Sequence, residues 1–191
     1  MECDLNHGTS TAGAAPPVVV SGDRPSGGGA VGGRGRFIWP LTAGAAGEFV
    51  GSSDWKFRDG WETRLSTRAL SQISRLRALF STLQWWELVP DTASELVTAG
   101  RGTELTTDDP NDVLDNDYVT AAKTPDGRLA VIYVPTQRTI SVNSSAMAAG
   151  TRAAWVDPTS GTSRPVPMSS TFTTPGANAE GDNDWLLVLT S

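Results

Sequence analysis

Near its C-terminus the chain reads Trp155-Val156-Asp157-Pro158-Thr159-Ser160-Gly161, and it closes on Asp184-Trp185-Leu186-Leu187-Val188-Leu189. Each stretch contains a short apolar run with one large aromatic residue, a pattern typical of a buried strand. The first run leads into an Asp-Pro-x-x-Gly turn, in which proline presets φ and glycine tolerates positive φ. The two stretches therefore predict strands of a small β-sandwich, with Trp155 and Trp185 in its core.

The extended pattern continues upstream of these stretches. A turn signal, Pro125-Asp126-Gly127, lies between two apolar runs and predicts a hairpin. Short strands separated by such turns are typical of an antiparallel sandwich. Strands are expected at residues 118–122, 129–134, 139–142, 153–156 and 185–189, with a short piece around Phe172.

One amphipathic helix precedes the strands. Apolar residues recur at three-and-four spacing over residues 65–83, while polar residues occupy the opposite face. Ser66 or Thr67 can cap the start of this helix. Its apolar face must find the sandwich or stay exposed, and an exposed face would make the full chain self-associate more than residues 92–191 alone.

The first 36 residues are expected to be disordered. They hold nine of the 20 glycines and three of the 12 prolines, and few large apolar side chains beyond Val18-Val19-Val20. Such a segment cannot bury enough apolar surface to offset the entropy lost on ordering. Its glycine-rich run at 26–35 lacks the Gly-Lys-Ser/Thr sequence of a phosphate-binding loop.

These patterns divide the chain into three parts. Residues 1–36 form the tail, residues 37–91 form a strand, a loop and the helix, with the strand at 48–51, and residues 92–191 form the sandwich. The middle part is too short to enclose a core of its own. The predicted fold class is therefore mainly β.

The composition argues against several classes of function. The net charge is −6 and the pI is near 4.7, so neither nucleic acid nor a membrane is an expected partner. Cys3 and His7 are the only residues of their types, so no disulfide, metal site or cofactor is predicted. No apolar run reaches the ~20 residues that span a bilayer, and no secretory signal is predicted at the N-terminus.

Two tryptophans directly follow the helix, in Trp85-Trp86-Glu87-Leu88. Exposed paired indoles can stack on sugar rings, because a sugar presents an apolar C–H face to an aromatic ring. The alternative is that they fill the joint between the helix and the sandwich, and the apolar residues that follow favour this interpretation.

A second candidate binding region is the loop with Asp54, Trp55 and Asp59. If the preceding strand belongs to a barrel, this loop lies on the catalytic face and could form a sugar subsite; structural packing is the alternative. Glycosidase chemistry needs two carboxylates across the scissile bond. Asp54 and Asp59 belong to one strand–loop–helix unit, whereas barrel pairs come from different strands, so no catalytic residue is assigned.

An acidic stretch runs from Glu104 to Asp117 without an intervening lysine or arginine. Carboxylates at this density could hold calcium, but the Asp-x-Asp-x-Asp-Gly spacing of a calcium loop is absent. A solvated loop between two strands is expected there, and no metal site is assigned.

Taken together, these stretches resemble the C-terminal part of the apiosidase-like glycoside hydrolases, which are barrel enzymes followed by a sandwich labelled as a collagen-binding domain. The resemblance is carried by short matches at residues 41–51, 55–57, 85–91, 121–127, 130–135, 155–161, 172–176 and 184–189. Their order and spacing cover roughly 150 residues, which makes the combination more specific than any single match.

The resemblance implies that residues 41–51 are the last strand of a (β/α)8 barrel and that residues 92–191 are an accessory sandwich. In the family, some seven further βα units supply the catalytic carboxylates, and the 36 residues upstream show no counterpart. The chain is therefore expected to be truncated and inactive. The expected partners are a polysaccharide or a collagen-like polymer, and the missing half of the barrel.

Two other functions stay open at this point. One is a glycoside hydrolase that acts through the Trp55 loop, with the rest of the barrel supplied separately. The other is a purely structural fragment without a ligand.

Overall fold

The computed structural model describes residues 19–23, 30–52, 57, 59–104 and 116–191. Its helices are α1 (Ala30–Thr42) and α2 (Arg68–Ser81), with short 3-10 segments at Trp61–Ser66, Trp85–Glu87 and Ser144–Ala146. Its strands are β1 (Val19–Asp23), β2 (Glu48–Ser52), β3 (Val89–Pro90), β4 (Val97–Ala99), β5 (Thr120–Lys123), β6 (Leu129–Val134), β7 (Thr139–Val142), β8 (Arg152–Val156), β9 (Ser163–Val166), β10 (Thr171–Thr173) and β11 (Trp185–Thr190). Among these helices, none is long and apolar enough to cross a membrane.

Two antiparallel sheets form most of the molecule. One has six strands in the order β3-β5-β6-β11-β8-β9, and the other has three in the order β10-β7-β4. Residues from both sheets share one apolar core, in which Ile132 and Leu187 of the large sheet meet Ile140 and Phe172 of the small one. The prediction of a mainly β chain built on antiparallel sheets is confirmed.

The two stretches that predicted strands lie side by side at the centre of the large sheet. Strand β11 pairs with β8 on one side, where Leu187 faces Trp155, and with β6 on the other, where Leu187 faces Ile132. The predicted hairpin joins β5 to β6, and Gly127 adopts φ 70° in its turn. The last strand of the chain therefore fills a central position between strands that precede it in sequence.

The large sheet is the middle of three layers. In β6, Ala130, Ile132 and Val134 face the small sheet, whereas Val131 and Tyr133 face a second apolar cluster. All six residues of β6 are buried. A continuous apolar run is typical of a strand that is covered on both faces, which explains why this stretch does not alternate with polar residues.

Helices α1 and α2 cover the second face of the large sheet. Leu76 and Phe80 of α2 are buried with Phe37 and Leu41 of α1, against strands β6, β8 and β11. Phe37 and Phe80 meet edge to face, with ring centroids 6.1 Å apart. The apolar face of the predicted helix therefore does find the sheet. Thr67 caps α2 as expected, because its hydroxyl accepts a hydrogen bond from the Leu70 amide at 3.3 Å.

The expectation of disorder up to residue 36 is wrong for two segments. Strand β1 lies within that tail, and α1 begins at Ala30 rather than after residue 36. The expected strand at 48–51 is present as β2, which runs parallel to β1. Leu41, which the family resemblance placed in a barrel strand, lies instead in the last turn of α1. Helix α1 is stabilised by its burial against the large sheet. Its own glycine-rich sequence does not indicate this contact.

The large sheet extends across the expected boundary at residue 92, since β3 (Val89–Pro90) pairs with β5. Strands β3, β4 and β9 were not predicted. All three lie at sheet edges, where they are short or exposed and carry little apolar pattern. The proposed division into 37–91 and 92–191 stays a prediction, although both parts contribute to one sheet.

Candidate functional site

Three of the five predicted site residues lie within the described part of the chain. Asp54 and Trp55 fall outside the described residues. Asp59 lies in an exposed turn before the 3-10 segment at residues 61–66. Only Trp85 and Trp86 are brought together with other residues at one surface feature.

The two tryptophans have different environments. They lie on the 3-10 segment that follows α2, with ring centroids 6.5 Å apart in an edge-to-face arrangement. Trp85 is half-buried and packs on the cluster between the helices and the large sheet. Trp86 is 63% exposed. Trp85 therefore lies in the joint between α2 and the large sheet, whereas Trp86 projects from this joint into solvent.

A depression of about 190 Å³ opens beside these rings. It is lined by Trp85, Trp86 and Leu88, by Leu41 at the end of α1, and by Gly44, Ala45 and Ala46 in the turn that follows. Every lining residue is uncharged. The depression is therefore an aromatic and apolar site that is lined in part by small residues.

The turn after α1 depends on Gly44. This residue has φ 96°, a left-handed conformation that side chains with a Cβ rarely adopt. A Cβ at this position would also lie 3.0 Å from Cγ of Pro90 in β3. Glycine thus lets the turn approach the edge of the large sheet and brings Ala45 and Ala46 beside the tryptophans.

A buried polar network that sequence reasoning missed lies between the helices and the sheet. The Arg34 guanidinium donates from Nε to Asp184 Oδ2 at 2.8 Å and from Nη2 to Asp184 Oδ1 at 2.7 Å. It also donates to Gln72 Oε1 at 2.7 Å and to Asp182 Oδ2 at 2.8 Å. Tyr133 donates its hydroxyl proton to Asp184 Oδ2 at 3.2 Å. Helices α1 and α2 are thereby joined to β6 and to the segment before β11.

Burial and charge act together on this network. Arg34 and Asp184 have side chains that are 1% and 0% exposed. Burial alone would lower the pKa of the Arg34 guanidinium, but its hydrogen bonds and ion pairs with Asp184 and Asp182 outweigh that effect and raise it. Burial and the neighbouring Asp184 charge raise the pKa of the Tyr133 hydroxyl well above its usual value. Arg34 is therefore charged and Tyr133 neutral at physiological pH.

The network stabilises the packing of the helices on the sheet and does not have the properties of a catalytic pair. Asp184 is neutralised by Arg34 and also accepts from Asn178 Nδ2 at 2.9 Å. It is fully buried, so a sugar cannot reach it. Its members come from four elements distant in sequence, and the expectation of disorder around Arg34 excludes the basic partner of Asp184 from a reading of the sequence.

Other buried or half-buried carboxylates also hold the fold together. Asp91 accepts from the backbone amides of Glu95, Leu96 and Val97 at 2.8 to 3.0 Å and pairs with Arg101. Such a carboxylate organises a turn, and its acceptor capacity is already used.

The acidic stretch is only partly described. Residues 105–115, which hold most of its carboxylates, fall outside the described residues. Asp117 pairs with Arg138 and accepts from the Thr103 amide at 3.1 Å, and the hydrogen bond from Arg138 lowers its pKa. Within the residues that the structure describes, no group of three histidine, cysteine, aspartate or glutamate side chains is placed to hold a metal.

Comparison with known proteins relates the sheets to two kinds of protein. A family model described as "Putative collagen-binding domain of a collagenase" matches residues 105–190, a range that contains β5 to β11. None of the curated proteins matches the chain.

Two solved structures share the fold. One is a glycoside hydrolase family 5 protein from Bacteroides vulgatus, with 19% identity and a TM-score of 0.68 over 85% of this chain and 36% of that chain. The other is titled "Glycoside hydrolase" and has 20% identity and a TM-score of 0.66 over 85% of this chain and 37% of that chain. The chain thus spans little more than a third of either relative.

Proposed function

We propose that this chain is a non-catalytic accessory module of a carbohydrate-active enzyme and that it holds the enzyme to an extracellular polymer. The main support is the collagen-binding family model, which matches residues 105–190, a range that contains seven of the nine strands of the two antiparallel sheets. The fold shared with two glycoside hydrolases supports the link to sugar-cleaving enzymes. The finer assignment, to the apiosidase-like group, rests on the short sequence matches and belongs to this proposal.

The arrangement of carboxylates supports a non-catalytic role. Glycoside hydrolysis requires an acid and a nucleophile or base that face the same sugar. In the described part of the chain, Asp91, Asp117 and Asp184 are each paired with an arginine. Asp157 is occupied by backbone amides. These carboxylates form ion pairs or hydrogen bonds with other parts of the fold, so they are not available to protonate or attack a substrate.

The parallel unit β1–α1–β2 supports attachment to a barrel. Parallel strands joined by a helix are the repeating unit of a (β/α)8 barrel, and β1 and β2 pair in parallel. Parallel sheets are normally covered on both faces and extend over more than two strands. We therefore propose that these strands derive from a barrel and that the remaining barrel is the partner of this chain. The Asp54–Trp55 loop would then follow a barrel strand.

A binding assay on the full chain tests the proposed role. The chain is incubated with insoluble cellulose, xylan and chitin and with fibrillar collagen, and the bound fraction is measured after sedimentation. A non-binding protein of similar pI is the control for trapping. Retention on at least one polymer is expected. Retention on none of them would overturn the binding role.

A further inference from the structure

The depression beside Trp86 has features that identify a class of ligand, and this step rests on the proposed polymer-binding role. We propose that the depression binds one neutral sugar ring of a polysaccharide, whose C–H face stacks on the exposed Trp86 indole. The aromatic face carries partial negative charge and attracts the partially positive C–H hydrogens of the ring. Three features support this ligand: the packing around Trp86, the lining of the depression and its size.

Trp86 is exposed, and the segment that carries it is packed against the rest of the molecule through Trp85. The indole is 63% exposed, so a ligand can reach one of its faces. Its neighbour Trp85 contacts it edge to face at 6.5 Å and is itself half-buried against the helix–sheet cluster. The 3-10 segment is closed by the Leu88 amide, which donates to the Trp85 carbonyl at 3.1 Å. A ring that is already positioned loses little conformational entropy when a ligand binds.

The lining matches a neutral ligand with hydrogen-bonding groups at its rim. None of the seven lining residues is charged, so neither an anionic nor a cationic ligand gains an ion pair there. Trp39 and Trp185 donate their indole N–H groups to backbone carbonyls at 3.2 and 2.7 Å. Among the described contacts, Trp85 and Trp86 form no such bond. Their N–H groups can therefore donate to ring hydroxyls, as aromatic residues at binding sites commonly do.

The size of the depression favours one ring over an extended peptide. Its volume of about 190 Å³ lies below the roughly 300–1,000 Å³ of pockets for drug-sized ligands. A polyproline-type chain, such as a strand of collagen, is recognised along an aromatic-lined groove that follows several residues. This depression, which the turn at 44–46 lines, offers one position for a ring. A sugar unit within a longer polymer fits this position.

Three variants of the full chain test the assignment in the same sedimentation assay. Trp86→Ala removes the stacking face and is expected to weaken polysaccharide binding about tenfold or more, as truncation of an interface tryptophan typically does. Trp86→Phe keeps an aromatic face and should retain most of the binding. Ala46→Arg fills the depression from an exposed position and should weaken binding while Trp86 is still present. Phe57→Ala is the matched control, because Phe57 is 68% exposed and contacts Trp61 rather than the depression.

The outcomes separate this inference from the proposed function. Loss of binding in Trp86→Ala and Ala46→Arg, with retention in Phe57→Ala, supports the site. Polysaccharide binding that is unchanged in Trp86→Ala overturns the site but leaves the accessory role standing. Binding of the unaltered chain to collagen alone overturns the sugar assignment. Retention on none of the polymers overturns both the function and the site.

Discussion

Arg34 on helix α1 forms two hydrogen bonds with Asp184, which lies 150 residues further along the chain, immediately before the central strand β11. Both side chains are buried. Two charges removed from water are tolerated only when the geometry is good and the other polar atoms are also satisfied. Gln72, Tyr133 and Asn178 supply these additional contacts. The helical layer and the large sheet are therefore held together by one connected network.

Asp184→Asn should destabilise the protein strongly. The substitution keeps the shape of the side chain but removes its charge, so Arg34 stays buried with only Asp182 to balance it. Breaking one side of a buried ion pair typically costs about 3–5 kcal/mol. Urea denaturation of the unaltered chain and the variant at pH 7 measures the difference in unfolding free energy.

A double variant and an exposed control sharpen this test. Arg34→Met together with Asp184→Asn removes both charges, so it should cost less than the sum of the two single changes. Asp59→Asn changes an exposed carboxylate and should alter stability by no more than about 0.5 kcal/mol. A single Asp184→Asn variant as stable as Asp59→Asn would contradict the role of the network.

Deleting residues 1–91 should yield a poorly behaved fragment. Helices α1 and α2 cover Val131, Tyr133, Leu186 and Val188 on one face of the large sheet. Without the helices this face becomes a contiguous exposed apolar patch, which promotes association. An unpartnered apolar face on the helix predicts more self-association for the full chain than for 92–191, and burial of that face against the large sheet reverses this expectation.

Light scattering on residues 92–191 and on residues 30–191 measures this effect. The longer fragment keeps both helices and is the matched control. A lower monomer fraction for 92–191 at equal concentration is expected. A monomeric 92–191 fragment that also unfolds cooperatively would show that the sheets are independent of the helices.

The central strands could be predicted because their signals are local. Strands β6 and β11 are apolar runs of strand length, and the turn between β5 and β6 carries Pro125, Asp126 and Gly127 in sequence. In that turn, Asp126 accepts from the Arg128 amide at 3.0 Å and from the Thr124 hydroxyl at 2.6 Å. These contacts span a few residues only, so the sequence is sufficient to indicate them.

Helix α1 could not be predicted because its stability is tertiary. Residues 30–36 include three glycines, which are poor helix formers. One of them, Gly35, is needed for packing, since a Cβ there would lie 2.7 Å from the Trp39 ring. Ile38 is fully buried with the helix–sheet cluster. The free energy that orders this helix comes from contacts with residues up to 150 positions away, which no local pattern reports.

Only one side of the candidate site, the pair of tryptophans, could be predicted from the sequence. Adjacent tryptophans after an amphipathic helix are visible in the sequence. Trp85 packs at the joint and Trp86 is exposed, and the sugar-stacking role of the pair stays a prediction. The opposite wall at 44–46 consists of glycine and alanine, which carry no binding signal of their own. Its position next to Trp86 depends on the left-handed Gly44 and on contact with β3, which are tertiary features.

Gly127→Ala should destabilise the protein more than Gly161→Ala. Both glycines have positive φ, at 70° and 75°, so both substitutions incur the roughly 1–2 kcal/mol cost of a left-handed residue with a Cβ. At Gly127 the new Cβ would also lie 2.8 Å from the backbone oxygen of Ala146, whereas at Gly161 nothing lies within 4 Å. The backbone must therefore shift in Gly127→Ala but not in Gly161→Ala. Thermal denaturation compares the two, and equal losses would contradict the steric argument.

Asp157 should contribute stability that is lost in acid. Burial alone would raise the pKa of this carboxyl, but hydrogen bonds from the Thr159 hydroxyl and from the Thr159, Ser160 and Ala179 amides outweigh it and hold the pKa below its usual value. A depressed folded-state pKa favours the folded state above the unfolded pKa of about 3.9, and this contribution disappears as the pH falls through the folded value.

Asp157→Asn should therefore be less stable than the unaltered chain at pH 7, because its Nδ2 cannot accept from an amide. The gap should be constant above about pH 5 and should narrow below about pH 4. Urea denaturation at pH 7, 5, 4 and 3 measures it, and a gap of the same size at every pH would show that the ionised carboxylate is not what stabilises this turn.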